Sequence, residues 1–204
     1  CIIVPLTNTS SKNENILFDI AQVEFVFRIN QRDIISFESV SKQAENNYYK
    51  VIRKSKHPGL VLFTSGTSGA PKAAVHDFIV LLEKFKTRRH GFRTLNFLLF
   101  DHWGGLNTMF YILSNSSVVI ATKDRNPDNI CRLIETHQIE LLPASPTFLN
   151  LMLLSGAHNN YNLNSLKIIS YGTEPMPKST LKRLKIVFPH VKLLQTYGLI
   201  ELGV

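Results

Sequence analysis

The chain has 204 residues, of which 44% are apolar and 19% are charged, and its mean hydropathy is +0.02. This composition is typical of a globular chain with one good hydrophobic core, and it excludes the disordered and low-complexity classes. The two cysteines lie far apart in sequence, and no apolar run reaches the roughly 18 residues that a membrane helix needs. A disulfide framework, a zinc site and a membrane span are therefore not predicted.

The net charge of +8 and the isoelectric point near 9.6 require that a polyanionic partner be considered. The excess positive charge lies in residues 50–56, 83–93 and 178–185. In the last run Leu181, Leu184 and Phe188 recur at helical spacing, so its cations are predicted to form the solvated face of an amphipathic helix. A nucleic-acid-binding module is an alternative that rests on charge alone. The first residues lack the features of a signal peptide, and we predict a cytoplasmic protein.

Apolar segments that read as strands recur along the chain, in the order FVFRI, IISF, GLVLF, TLNFLLF, SVVIA, IELLPAS, LKIISYG and VKLLQTYG. Helical patterns fill the intervals from Val75 onward, at residues 75–86, 105–113, 127–137, 146–154 and 177–188. Prolines in the first turns of the last three fit helix starts. This alternation predicts an α/β fold, a mostly parallel sheet with helices on both faces, with ligands bound beyond the carboxyl ends of the strands.

The two ends of the chain indicate part of a larger domain. The first residue is Cys1 instead of methionine, and the last residues directly follow a predicted strand and turn. We expect residues 1–204 to form a single segment of such a domain, with unpaired sheet edges through which copies associate.

The segment FTSGTSGAPKA, residues 63–73, places glycines and small hydroxylated residues directly after a buried strand. Glycines allow close approach of a ligand, while free N–H groups and hydroxyls together suit a phosphate. Lys72 adds a positive charge, and the helix predicted to follow would add its positive end. A flexible polar loop is the alternative. A Walker A loop is disfavoured because Lys72 lies three residues after the glycine and is followed by Ala73 in place of Ser or Thr.

The same segment resembles the phosphate loop of the AMP-forming, adenylate-forming superfamily, which includes acyl-CoA synthetases, peptide-synthetase adenylation domains and luciferases. The only departure from that motif is Ala73, where the family has glycine. The resemblance continues through FDHWGGL at 100–106, SYGTEPMP at 170–177 and QTYGLIELG at 195–203. It covers essentially the whole chain, and it implies an incomplete large N-terminal, AMP-binding domain of such an enzyme.

The resemblance also implies roles for individual residues. Phosphates would be held by Thr64, Ser65, Gly66, Thr67, Ser68, Gly69 and Lys72. Adenine would be framed by Gly172, Thr173, Glu174, Tyr197 and Gly198. Magnesium would be bound by Glu201 and Thr64. The acid would be bordered by His102, Trp103 and Gly104. The catalytic residues would be Lys72 and Glu201. From the residues alone, Tyr197 also fits a core aromatic, Glu201 a surface acid, and the segment from His102 simple packing.

The implied function is that of an ATP-dependent ligase that activates a carboxylic acid, such as a fatty acid, as an acyl-adenylate and passes it to a thiol, with ATP, Mg²⁺ and coenzyme A as cosubstrates and cofactor. No acidic residue is recognisable where adenylation domains anchor an amino group, which favours an acyl-CoA synthetase. Ile200 stands where the family has a threonine that contacts the α-phosphate. A non-catalytic relative that serves as a binding module is therefore the alternative, and without the family's C-terminal lysine we expect this segment alone to be inactive or weak.

Overall fold

The computed structural model describes residues 1–7, 14–40, 43–64 and 70–200. The described residues form two compact units, each with buried apolar side chains of its own. One unit comprises Cys1–Glu83 together with Phe100–His102. The other comprises Lys84–Leu99 and the chain from Trp103 onward. That residues 1–204 form one segment of a single domain stays a prediction.

The first unit contains five strands and three α-helices within its described residues, which are β1 (Ile2–Ile3), α1 (Glu14–Ala21), β2 (Phe25–Ile29), β3 (Ile35–Ser39), α2 (Asn47–Lys54), β4 (Gly59–Thr64), β5 (Lys72–Asp77) and α3 (Phe78–Leu82). Strands β1, β4 and β5 form a sheet in which β4 pairs parallel with β1 and antiparallel with β5. Strands β2 and β3 form a separate antiparallel hairpin. Four consecutive residues of β4, Gly59 to Leu62, are buried, so β4 is the central strand of this unit.

The helix predicted at residues 75–86 is wrong in its first part. Residues up to Asp77 continue strand β5, whose pairing runs from Thr64 opposite Lys72 to Gly59 opposite Asp77. The helix begins only at Phe78, because the Asp77 carboxylate accepts hydrogen bonds from the backbone N–H groups of Ile79 and Val80 and so caps it. Cross-strand pairing to β4 thus overrides the apparent helical pattern.

The second unit alternates strands and helices in the order β6 (Thr94–Asn96), α4 (Trp103–Ser114), β7 (Val119–Ala121), α5 (Pro127–His137), β8 (Leu141–Ala144), α6 (Pro146–Ser155), β9 (Ile168–Tyr171), α7 (Lys178–Val187) and β10 (Lys192–Gln195). The five strands are all parallel and lie in the order β10-β9-β8-β6-β7. Asn126 and Ser145 cap α5 and α6, each with proline next in the chain. The predicted α/β class with a mostly parallel sheet is confirmed.

The connections of this sheet place helices on both of its faces. Crossovers between parallel strands are right-handed, so the direction in which the chain moves across the sheet decides which face a helix covers. The chain moves across the sheet in one direction from β6 to β7, and in the opposite direction from β7 through β8 and β9 to β10. Helix α4 therefore covers one face, and α5, α6 and α7 cover the other. The core between these three helices and the sheet contains side chains with no more than 1% exposure, including Ile134, Leu142, Leu149, Met152, Ile169 and Leu184.

None of the helices in the described ranges combines the length and the hydrophobicity of a membrane-spanning segment.

The strand order reverses between β6 and β8. These two strands are neighbours, yet the helix that follows β6 and the helix that follows β8 lie on opposite faces. A strand order that reverses in this way is a topological switch point, and open α/β sheets bind ligands at the carboxyl edge beside such a point. Segments that follow β8, β9 and β10 all begin at this edge.

Two adjacent residues of α6 test the assignment of its buried face. Leu153 is 2% exposed, whereas Leu154 is 66% exposed. We expect Leu153→Ala to lower the free energy of unfolding by about 2–5 kcal/mol, because it leaves a cavity in the core, and Leu154→Ala to change it by less than about 0.5 kcal/mol. Chemical denaturation of both variants measures the difference. Equal losses would show that α6 does not pack as described.

Candidate functional site

The predicted phosphate loop connects two antiparallel strands. Thr64 is the half-buried last residue of β4, and it lies directly across from Lys72, the exposed first residue of β5. The structure therefore brings Thr64 and Lys72 together at one end of this strand pair. The predicted residues between them, namely Ser65, Gly66, Thr67, Ser68 and Gly69, lie outside the described residues.

The expectation that a helix follows this loop and adds its positive end is wrong. Strand β5 intervenes, and α3 begins at Phe78, beyond the far end of that strand. Five residue steps along a strand correspond to roughly 17 Å, whereas the effect of a helix terminus falls off within one turn. Positive charge near Thr64 is therefore supplied by the Lys72 side chain and not by the helix.

The two predicted adenine segments meet at the carboxyl edge of the parallel sheet. Strands β9 and β10 are in register, with Tyr171 opposite Gln195, and the Thr196 N–H donates to the Tyr171 carbonyl at 2.7 Å. A Cβ atom on Gly172 would lie 2.6 Å from the Thr196 carbonyl oxygen. This closeness explains the glycine, since any side chain there would push the two strands apart at this edge.

Tyr197 follows Thr196 directly and is 85% exposed. Gly198, the next residue, is also exposed. Among the described residues, this ring is not part of a hydrophobic core, which disfavours the alternative of a core aromatic. An aromatic face at the carboxyl end of a strand is a surface on which a purine can stack.

Thr173 has an unusual backbone conformation. Its φ of 71° lies in the left-handed region, which a β-branched residue rarely adopts. The Thr173 hydroxyl donates to the Gly172 carbonyl at 2.5 Å. Such residues persist only where the surrounding structure holds them, and they are frequent in ligand-binding segments.

The Glu174 carboxylate contacts the start of α6. Its Oε1 accepts from the Thr147 backbone N–H at 2.8 Å, and its Oε2 accepts from the Thr147 hydroxyl at 2.8 Å. These two bonds lower the pKa of Glu174 below its ordinary value, and the bond from the Thr147 backbone N–H has the larger effect. Carboxylates are also stabilised at helix N-termini by the partial positive charge there. Glu174 is therefore ionised at neutral pH and already bonded within the protein.

The three residues predicted to border the acid differ in exposure. Trp103, the first residue of α4, is 6% exposed, and the Lys84 ammonium lies 4.5 Å from the centre of its ring. His102 is exposed, and its Nε2 lies 3.8 Å from Oδ1 of Asp101. Gly104 is exposed, and a Cβ there would meet the Leu98 side chain only at 3.7 Å. Of the three, Trp103 is positioned by packing, whereas His102 and Gly104 face solvent in the structure.

A magnesium site is not defined by the described residues. Among them, no group of three or more His, Cys, Asp or Glu side chains is placed to hold a metal ion. Glu201, the predicted carboxylate ligand, lies outside the described ranges. The assignment of magnesium to Glu201 and Thr64 therefore rests on the family resemblance.

Comparison with known proteins places the chain in a family. The model of the AMP-binding enzyme family matches residues 2–204. The chain belongs to the AMP-binding enzyme family. Similar curated proteins include 4-coumarate–CoA ligase-like 9 of Arabidopsis thaliana, 24% identical over 83% of this chain and 32% of that protein. Another is acyl-CoA synthetase 7 of Caenorhabditis elegans, 26% identical over 83% of this chain and 34% of that protein.

Solved structures support the same fold. The inhibitor-bound N-terminal domain of FACL13 from Mycobacterium tuberculosis matches 71% of this chain and 37% of its own length, with 22% identity and a TM-score of 0.61. At this identity the likeness shows the fold alone. The chain spans about a third of the length of the Arabidopsis and Caenorhabditis relatives.

Two residues of the edge described above were not predicted from the sequence. Thr147 bonds both oxygens of Glu174, and Thr196 contacts Gly172. Proline at the first position of α6 indicates a helix start at the end of β8, and hence places Thr147 at this edge. The sequence carries no signal for the partner of Thr147, because the two residues are 27 positions apart.

Adjacent glycines at the start of α4 provide a test of the local geometry. A Cβ on Gly105 would lie 2.1 Å from the Leu99 carbonyl oxygen, whereas the nearest atom to a Cβ on Gly104 is 3.7 Å away. We expect Gly105→Ala to reduce stability by about 1–3 kcal/mol through overpacking. Gly104→Ala should be neutral or gain up to about 1 kcal/mol, because alanine favours a helix over glycine. Urea unfolding curves of both variants decide, and a stable Gly105→Ala variant would contradict the described contact.

Proposed function

We propose that this chain carries the nucleotide-binding part of an AMP-forming acid–thiol ligase, an enzyme that activates a carboxylic acid with ATP. Family membership supports the class of enzyme. The observation that carries the nucleotide role is the exposed Tyr197 ring beside the close contact of Gly172 with Thr196. At the ligand-binding edge of the sheet, the backbones of Gly172 and Thr196 lie close together, and the Tyr197 ring beside them is open to solvent.

The proposed roles follow the resemblance residue by residue. Tyr197 stacks on adenine, and the backbone of Gly172 and Thr173 lies along its edge. Lys72, Thr64 and the loop between them hold the β- and γ-phosphates. Mg²⁺, bound by Glu201 and the Thr64 hydroxyl, would neutralise phosphate charge. His102, Trp103 and Gly104 border the acid, with Trp103 acting as a packed wall because it is buried.

The proposed reaction has two steps. A carboxylate oxygen of the acid attacks the α-phosphorus of ATP, the bond to the β-phosphate breaks, and pyrophosphate leaves. The sulfur of a thiol then attacks the acyl carbon, its proton is lost to solvent, and AMP leaves with the electron pair of the cleaved acyl bond. The residues named here contribute positioning and charge neutralisation, which carry most of a phosphoryl transfer.

The acceptor proposed for the second step is coenzyme A. The Arabidopsis relative is named as a CoA ligase-like protein and the nematode relative as an acyl-CoA synthetase. The absence of a recognisable acidic anchor for an amino group favours the same choice over an adenylation domain. The nature of the acid, fatty or otherwise, and a cytoplasmic location stay predictions.

A second candidate function is that of a non-catalytic family member that binds a nucleotide without activating an acid. Ile200 motivates it, because an isoleucine side chain has no hydroxyl to donate to the α-phosphate. A hydrogen bond to a charged group is worth about 1.5–3 kcal/mol. The first candidate is favoured because, apart from Ile200 and Ala73, the quoted motif residues are present.

Binding of ATP with Mg²⁺, measured by calorimetry, tests the nucleotide role. We expect Tyr197→Ala to weaken ATP binding by about 1–3 kcal/mol through loss of base stacking, and Lys72→Ala to weaken it by about 1.5–3 kcal/mol through loss of a charged contact. The controls are Tyr48→Ala and Lys182→Ala, which remove exposed side chains of the same types elsewhere. Absence of binding by the wild type, or equal losses in the controls, would contradict the proposal.

The Ile200→Thr variant tests whether this position limits the site. We expect the new hydroxyl to tighten binding of ATP on the order of tenfold, the value of one hydrogen bond to a charged phosphate. Leu199→Thr is the control, since it adds the same group one residue away. If Ile200→Thr leaves affinity and acid-dependent pyrophosphate release unchanged, Ile200 is not what limits the protein.

A further inference from the structure

We propose that Glu174 is a positioning residue that fixes the adenine-binding backbone of Gly172 and Thr173 by bonding Thr147, and that it does not itself contact the nucleotide. This inference rests on the proposed function. It reverses the direct role that the resemblance implies for Glu174. It also adds Thr147, on a different strand–helix connection, to the residues on which nucleotide affinity depends.

Both carboxylate oxygens of Glu174 accept hydrogen bonds from Thr147, and the hydroxyl of Ser145, the cap of the same helix, contributes further to lowering the Glu174 pKa. Oε1 accepts from the Thr147 N–H and Oε2 from the Thr147 hydroxyl, each at 2.8 Å. A two-point contact of this kind fixes the plane of the carboxylate as well as its position. The carboxylate is thereby committed to α6. The lowered pKa of Glu174, caused first by the Thr147 backbone bond, is consistent with an ionised acceptor in this contact.

The first turn of α6 is a rigid anchor for this contact. Pro146 has no N–H group, and the Phe148 N–H donates to the hydroxyl of the Ser145 cap at 3.1 Å. Among the backbone N–H groups of residues 146–148, only that of Thr147 then still needs an acceptor, and the Glu174 carboxylate provides it. The Phe148 ring packs at 4.9 Å between centroids against Phe97, and Leu149 is fully buried. Glu174 is therefore bonded to a turn that the core already holds.

The segment between β9 and Glu174 is held from both sides. Gly172 lies so close to the Thr196 carbonyl that β10 fixes its position on one side. Glu174 fixes the other side through α6. Thr173 lies between these two attachments in the left-handed conformation, at φ 71°. A β-branched residue keeps this conformation only under such constraint, so release of Glu174 allows Thr173 to relax and displaces the backbone along the adenine edge.

The test compares two ligands on the full chain, ATP and inorganic tripolyphosphate, each with Mg²⁺. The segment 172–173 is assigned to adenine, so its displacement weakens ATP binding and leaves tripolyphosphate binding unchanged. We expect Glu174→Ala to raise the Kd for ATP on the order of tenfold and the Kd for tripolyphosphate by less than about twofold. A purely structural role, acting through partial unfolding, would weaken both ligands together.

The partner residue gives an independent readout. Thr147→Val keeps the backbone N–H and removes the hydroxyl, so a smaller loss of ATP affinity than in Glu174→Ala is expected, whereas Thr147→Ser keeps both donors and should match the wild type. In the double variant Thr147→Val with Glu174→Ala, the loss should equal that of Glu174→Ala alone, because the two residues act as one unit.

The matched control is Glu135→Ala. Its carboxylate also accepts a backbone N–H from another segment, that of Asn162 at 2.7 Å. Glu135 lies in the last turns of α5, which lead into the amino end of β8, at the opposite edge of the sheet. This variant should leave the affinities for both ligands unchanged.

The outcomes separate this inference from the proposed function. Absence of ATP binding by the wild type overturns the proposed function and this assignment with it. Binding by the wild type that is unchanged in Glu174→Ala overturns this assignment alone. Losses in Glu174→Ala and Thr147→Val that multiply in the double variant would show that the two residues act independently, and this also overturns the positioning role.

Discussion

The reversal of strand order between β6 and β8 is the constraint on which the second unit depends. Right-handed crossovers leave the chain no other way to cover both faces of a parallel sheet. Helix α4 must lie on one face and α6 on the other, and the carboxyl edge between β6 and β8 becomes the position where open α/β sheets bind ligands. The two predicted adenine segments begin at this edge, so their location is fixed by topology before any individual side chain is considered.

Sequence patterns predicted this architecture well where they were long and locally consistent. Helix α5 occupies Pro127–His137, the range predicted, because a proline start and a 3.6-residue apolar period coincide there. The eight-residue helices α1 and α2 were not predicted, since short helices derive most of their stability from tertiary packing. The error at residues 75–86 has the same origin: the segment up to Asp77 forms a strand because β4 is available to pair with it.

The candidate site was predictable to the extent that its residues belong to one motif. Gly172 and Tyr197 are brought to neighbouring positions because β9 and β10 pair in parallel, which the strand–helix alternation already indicated. The contact between Glu174 and Thr147 was not predictable. It depends on which helix start the chain places next to β9, and therefore on the strand order, which no local pattern encodes. The residue types therefore indicate which ligand the site suits, whereas the strand order determines which side chains contact each other.

Strands β8 and β10, two of the strands that end at the carboxyl edge, differ in how they are enclosed. All four residues of β8 are buried, whereas β10 lies at the edge of the sheet formed by the described residues and has three of its four residues exposed. Native proteins open locally from such edges before the core opens. Amide hydrogens of β10 should therefore exchange with solvent much faster than those of β8. A ligand stacked on Tyr197 would cover the carboxyl end of β10 and stabilise it. Slower hydrogen exchange of the β10 amides would then report that the site is occupied, without any measurement of activity.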